Sequence, residues 1–207
     1  MSRILAVCTG NICRTPMAAG FLRSGLAERG VTGVAVTSCG TVGWDGAEAV
    51  PETIQAMVER GVDVTGHRAR RFEPGMARDA DLILAMAAEH RDAIVAAVPE
   101  AADRTFTLKE LSKLLDRLEM DASADGAAER RPGVLAAAAA KLRSSGIVEP
   151  SRDEDVADPL GLGIEAYRAT AWEIEGLCGR ILDATFGPAP APAERESGTT
   201  PLKGGAS

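Results

Sequence analysis

Histidine is nearly absent: in 207 residues only His67 and His90 carry an imidazole, so a histidine-rich metal centre or a Ser-His-Asp site has few possible members. Cysteine is scarce too. Cys8, Cys13, Cys39 and Cys178 form no C-x-x-C pair, which argues against a disulfide framework and a structural zinc site. Positive charge does not dominate: 23 Lys and Arg stand against 30 Asp and Glu, a net charge of -7, without the electrostatic footprint of a nucleic-acid binder. Any anion site must be local. No long apolar run stands at the start, where Ile4 to Val7 is too short for a signal-peptide core or a membrane span. The expectation is a cytoplasmic protein with no membrane or nucleic-acid partner, no metal and no cofactor, its oligomeric state left open.

What is present suffices for one core, since 45% of the residues are hydrophobic and two full domains would each be short of residues. Ile4 to Val7 reads as a strand and Met17 to Arg29, opened by Pro16, as a helix. A second strand is expected at Val34 to Thr37, a helix from Val50 to Arg60 ending at Gly61, and a third strand at Asp81 to Met86. Helices follow at Ala87 to Val98, Leu108 to Leu118 and Gly163 to Thr185, with a short fourth strand at Thr105 to Thr107. This alternation implies an α/β fold, a parallel sheet covered by helices on both faces. Between about 119 and 155 the character changes, and an Ala-rich helical run, Leu135 to Leu142, lies within what reads as an insertion. From about Gly187 the Pro- and Ala-rich sequence cannot bury enough apolar surface to order itself. The expected organisation is a domain over 1–186, interrupted at 119–155, and a disordered tail over 187–207.

The chemistry is concentrated in Val7-Cys8-Thr9-Gly10-Asn11-Ile12-Cys13-Arg14-Thr15-Pro16, where five residues separate a cysteine from an arginine between a strand and a helix. A loop of this size curls until its backbone N–H groups converge, and the helix behind it adds its positive end, so a phosphate is cradled without a metal. Gly10 is expected to permit the curl. The planar fork of Arg14 suits two phosphate oxygens better than a lysine would. The same positive field predicts a thiolate nucleophile at Cys8. A leaving oxygen needs a proton, and Asp158, held extended by Pro159, is the candidate general acid. Negative charge from bound phosphate favours its protonated form.

These residues resemble those of the low molecular weight protein tyrosine phosphatases, with a cysteine loop near the N-terminus and an Asp-Pro near the C-terminus. The similarity continues through Ser38-Cys39-Gly40-Thr41, Trp44, His67-Arg68-Ala69-Arg70, Ala80 to Leu84 and Glu165 to Ala169, covering about 3–186 apart from the insertion. The resemblance implies a three-layer sandwich around a four-stranded parallel sheet, hydrolysis of phosphotyrosine on a phosphorylated protein, and Cys8, Arg14 and Asp158 as nucleophile, phosphate clamp and general acid/base. It implies substrate contacts from Thr9, Gly10, Asn11, Ile12, Cys13, Thr15 and Trp44, and support of the loop by Asn11, Thr15, Ser38 and His67. Some positions depart from the pattern. Thr15 stands where serine is commoner, keeping the hydroxyl. Leu160, Gly161 and Leu162 follow Asp158-Pro159 where aromatic residues commonly wall the pocket, leaving Trp44 as the ring-stacking wall. Cys39 replaces alanine.

Other readings weigh against these. Cys13 reads equally as a small buried residue or as a thiol that captures oxidised Cys8, whereas Cys178 and Cys39 read as packing. His67 reads as a hydrogen-bonded structural residue, His90 in Glu-His-Arg as solvated, and Arg68, Arg70, Arg71 and Arg78 as a solvated face. Tyr167 reads as an anchor of the last helix. A thioredoxin-coupled arsenate reductase would need relay cysteines, and none lies between Cys39 and Cys178. A protein arginine phosphatase, the other alternative, belongs to a branch with threonine where Ile12 stands, and isoleucine suits a flat phenol ring better. The insertion reads as a lid or a partner surface influencing the general-acid loop.

Overall fold

The computed structural model describes residues 1–121, 131–147 and 153–190. Its centre is β1 (Ser2–Cys8), whose run from Ile4 to Cys8 is buried throughout. Such a strand is apolar without alternation because both of its faces are covered. β2 (Val34–Gly40), β3 (Leu82–Ala85) and β4 (Thr105–Thr107) complete one four-stranded parallel sheet in the order β2-β1-β3-β4. The chain leaves β1 for β2 on one side and returns for β3 on the other, so the C-terminal end of β1 is a topological switch point, where open α/β sheets bind ligands. Cys8 is the last residue of that strand.

Seven α-helices surround the sheet among the described residues: α1 (Arg14–Glu28), α2 (Pro51–Val58), α3 (Pro74–Asp79), α4 (Ala88–Ala97), α5 (Leu108–Asp121), α6 (Pro132–Ser144) and α7 (Ile164–Phe186). α1, α5, α6 and α7 share the larger core with Ile4, Ala6, Leu82 and Leu84, whereas Leu5, Val7 and Ile83 face α3 and α4. This is the three-layer arrangement expected. α1 starts at Arg14, two residues ahead of Pro16, because N–H groups of a first turn have no intrahelical acceptor and a proline there forfeits nothing. The short α3 and the 3-10 turn Pro99–Arg104 were not anticipated, since six residues are too few to display a helical period.

The stretch expected to be an insertion contributes a core element. Leu135, Ala136, Ala139 and Leu142 form one stripe of α6 and are buried in the larger core, and Arg143 lies 4.4 Å over the Phe106 ring. The start of α6 meets Asp81, just ahead of β3, at the end of the parallel strands opposite Cys8, so α6 is not a lid over the cysteine loop. The remainder of that stretch, 122–130 and 148–152, lies outside the described residues, as does the expected tail beyond residue 190.

Candidate active site

Cys8 ends β1 and Arg14 begins α1, so the loop between them lies at the positive end of a 15-residue helix. Cys8 Sγ is 3.2 Å from Thr15 Oγ1 and accepts a hydrogen bond from the Asn11 N–H at 3.3 Å. The loop turns at Asn11, with φ 61°, whereas Gly10 keeps a negative φ. That corrects the role expected of Gly10: an asparagine takes the left-handed conformation because its side chain compensates the strain. Asn11 Nδ2 donates to Thr15 Oγ1 at 2.8 Å and to Ser38 Oγ at 2.9 Å, and Oδ1 accepts from the Arg70 N–H at 2.8 Å. His67 Nε2 donates to the Asn11 carbonyl at 2.6 Å. The His67 pKa is lowered, mainly by burial and further by Arg23, Arg70 and Arg68, against the Asn11 hydrogen bond. Ser38, Thr15, His67 and Asn11 thus form one network around the turn.

Gly40 belongs to the same construction. A Cβ there would stand 2.4 Å from the Thr9 carbonyl and 3.0 Å from the Asn11 nitrogen, so β2 passes the loop at a distance only glycine allows. The loop is stitched to the segment after β2 by Thr41 N–H to Cys8 O at 2.8 Å and by Val42 and Gly43 N–H to Thr9 O, both at 3.1 Å.

Asp158, distant in sequence, arrives beside Arg14. Its Oδ2 is 2.7 Å from Arg14 Nη2, and Arg14 Nη1 donates to the Val156 carbonyl at 3.1 Å. Val156 N–H donates to Met86 O at 2.8 Å, and the Ala88 N–H donates to Asp155 Oδ1 at 2.7 Å, so the acid-bearing segment hangs on the end of β3 and the start of α4. Arg14 is 94% removed from solvent at its side chain while Asp158 is 44% exposed. Arg14 Nε is buried with no hydrogen-bond partner.

Ile12 lies on the other flank. With Trp44, Ala47, Val50, Ile54 and Val58 it lines an apolar groove of about 690 Å³. Trp44 is half exposed, its N–H bonded to the Gly10 carbonyl at 3.3 Å, and Leu160 and Leu162 stand exposed beyond Asp158. The other cysteines are buried thiols: burial pushes Cys13 up to about 11 and Cys39 up to about 12, and it also raises Cys178.

The expected site residues converge, and three further residues, for which the sequence predicts no role in the loop, join them. Arg70 is not merely solvated, since its N–H holds Asn11 and its Nη2 donates to Ser38 O at 3.2 Å. Gly40 carried no periodic signal beyond being a glycine at a strand end. His90, expected in solvent, is 1% exposed with its Nε2 2.9 Å from Thr9 Oγ1, because the first turn of α4 packs towards the loop instead of outward.

Comparison with known proteins accords with this geometry. The family model described as low molecular weight phosphotyrosine protein phosphatase matches residues 3–130. The chain belongs to that family. A protein-arginine-phosphatase of Geobacillus stearothermophilus is 33% identical over 87% of this chain and 94% of its own length. A probable low molecular weight protein-tyrosine-phosphatase of Ralstonia solanacearum, EpsP, is 37% identical over 53% of this chain and 72% of its own. The low molecular weight protein tyrosine phosphatase structure from T. tengcongensis superposes with a TM-score of 0.66 at 29% identity, covering 88% of this chain and 99% of that one. Membership makes this chain a phosphatase. Among the described residues no helix is long and apolar enough to cross a membrane.

Proposed function

We propose that the chain hydrolyses phosphotyrosine on proteins, and aryl phosphates generally, through a cysteinyl-phosphate formed at Cys8. The observation that carries the chemistry is the Arg14 guanidinium. Nε and Nη2 form one edge of the fork; Nε has no acceptor and Nη2 holds the Asp158 carboxylate. A phosphoryl group in the loop would take that edge with two oxygens, a charge-assisted bidentate contact, and release Asp158 towards the leaving oxygen.

The first step forms an S–P bond from Cys8 Sγ and breaks the P–O ester bond, while Asp158 gives its proton to the departing oxygen. In the second step water attacks phosphorus, its proton passes to Asp158, and the electron pair of the S–P bond returns to Cys8. Thr15 Oγ1, 3.2 Å from the sulfur, stabilises the departing thiolate. Charge developing on the phosphoryl oxygens is met by the loop N–H groups and Arg14. The apolar side chain of Ile12 and the exposed ring of Trp44 favour a flat phenol as the leaving group.

A second reading, phosphoarginine on protein, is favoured by one specific finding, the arginine phosphatase relative matched along 87% of the chain. The deciding experiment measures phosphate release from an aryl phosphate with chelator present, and then from matched phosphotyrosine and phosphoarginine peptides. Cys8→Ser should abolish release from the aryl phosphate, and Asp158→Ala should lower kcat by roughly 10²–10⁴, the usual worth of a general acid. Wild-type preference for the phosphotyrosine peptide, with Ile12→Thr moving the ratio towards phosphoarginine, is expected. Preference for phosphoarginine in the wild type would install the second reading.

A further inference from the structure

His90 lies in the first turn of α4 and is almost wholly buried, yet it makes contact with the cysteine loop. Its Nε2 has two neighbours, Thr9 Oγ1 at 2.9 Å and Glu89 Oε1 at 3.4 Å. Its Nδ1 is buried with no partner. Because a carboxylate only accepts, the proton belongs on Nε2, and Nδ1 keeps a bare lone pair. An imidazolium would need an acceptor for a second N–H and would face the Arg14 cation. The groups around the ring are Thr9 from the loop, Arg14 from α1, Asp155 and Asp158 from the acid segment, and Glu89 on its own helix. Burial first, and then Arg14, push the His90 pKa down to about 4 against the pull of Asp155 and Asp158. The ring is therefore a neutral donor near pH 7.

The contact matters because of what it does to Thr9. The Thr9 carbonyl is already held by the Val42 and Gly43 N–H groups, so with Nε2–H on Oγ1 the residue is fixed from both sides. Receiving that proton also leaves the Thr9 hydroxyl with its own hydrogen to give.

We propose that His90 is a positioning residue for the phosphate loop, acting through Thr9: it fixes the loop residue next to the nucleophile and turns the Thr9 hydroxyl so that its hydrogen is available to a phosphoryl oxygen. This rests on the reading of Cys8 to Arg14 as the phosphate site. A histidine that merely fills space beneath α4 would leave anion affinity untouched, whereas loss of a hydrogen bond to a charged oxygen weakens binding.

The test uses the full chain and inorganic phosphate as the probe, measuring its dissociation constant calorimetrically together with kcat and KM for an aryl phosphate. His90→Ala and Thr9→Val should each weaken phosphate binding by about tenfold, the usual scale for one such bond, and raise KM. Their combination should be no worse than the worse single variant. His90→Gln, which carries a donor at the place of Nε2, should restore affinity to within about twofold of wild type, and Thr9→Ser should do the same at the other partner. Additive losses in the double variant, a His90→Gln as poor as His90→Ala, or a melting temperature that falls with phosphate affinity unchanged would overturn the proposal. If His90→Ala does not fold, Thr9→Val still decides, since unchanged phosphate affinity in that variant is incompatible with the assigned role. Phosphate binding that follows this pattern in a protein without aryl phosphate hydrolysis would sink the proposed function while sparing His90; normal hydrolysis with phosphate affinity indifferent to both residues would do the reverse.

Discussion

At the residue scale the site depends most on Asn11, a non-glycine residue held at positive φ. The amide compensates by bonding Thr15, Ser38 and the Arg70 N–H, all in surroundings where an unpaired polar group is expensive. Asn11→Ala should cost about 2–4 kcal/mol in denaturant unfolding, combining left-handed strain with stranded partners. Asn11→Gly should recover roughly 1 kcal/mol of it, because glycine removes the strain but not the stranded partners. Equal losses for the two would mean that conformation contributes nothing. Gly40→Ala should lower kcat/KM by at least about tenfold, since the Cβ would press on the Thr9 carbonyl and shift the loop by an amount that such geometry does not tolerate. All four cysteines are buried, but burial raises the thiols of Cys13, Cys39 and Cys178 whereas Cys8 Sγ accepts the Asn11 N–H, so iodoacetamide at neutral pH should modify Cys8 first, and mass spectrometry of peptides locates the label.

At the scale of elements, the acid-bearing segment is joined to its neighbours along its length. Arg91 Nη1 donates to Glu154 Oε2 at 2.7 Å, Asp155 receives the N–H of Ala88, and Val156 links Met86 to Arg14. Asp155 also supplies negative charge at the N-terminus of α4. On the proposed mechanism, Asp155→Ala should reduce kcat more than KM for an aryl phosphate, as Asp158 loses its alignment while the loop from Cys8 to Arg14 remains intact. The alternative result, a change in KM alone, would place Asp155 in binding. α6 answers to a different measurement. Arg143 donates to Thr105 O at 3.0 Å and Ala102 O at 2.7 Å, and the buried Leu135 joins the main core. Leu135→Ala should therefore destabilise by about 2–5 kcal/mol with kcat for an aryl phosphate unchanged. A turnover effect without a stability effect would return α6 to the role of lid.

For the whole molecule, the two histidines contribute to the acid limb of stability. His90 titrates near 4 in the fold, against an ordinary value of 6.5, and His67 is lowered as well. Between those values the unfolded chain binds more protons than the folded one, so stability rises with pH through this window and is lost as pH falls from about 6.5 towards 4. His90→Gln should flatten that part of the curve, which chemical denaturation at successive pH values would show. An unchanged slope would mean that the imidazole is not held neutral by the fold. The surface ion pairs, among them Arg168 with Glu59 and Arg3 with Asp79, are exposed enough that added salt should change the melting temperature little.

Much of this was legible in the chain itself. Apolar runs without alternation, separated by helical periods, imply a parallel sheet covered on both faces, because a helical crossover between parallel strands packs onto the sheet. The spacing from Cys8 to Arg14 between a strand and a helix points to an anion loop at a helix N-terminus, because the first N–H groups of a helix have no intrahelical acceptor. What only the tertiary structure decided depends on contacts between positions far apart in sequence. Asn11 rather than Gly10 makes the left-handed turn because Ser38 and Arg70 are there to bond its amide. α6 joins the core because α5 and α7 leave apolar surface for its stripe to cover. His90 lies against Thr9, 81 residues away, and a charged neighbour on either side in sequence gave no sign of it. Local propensity and period are written in neighbouring residues; burial and partnership are settled by packing, and those decided which polar side chains serve the loop.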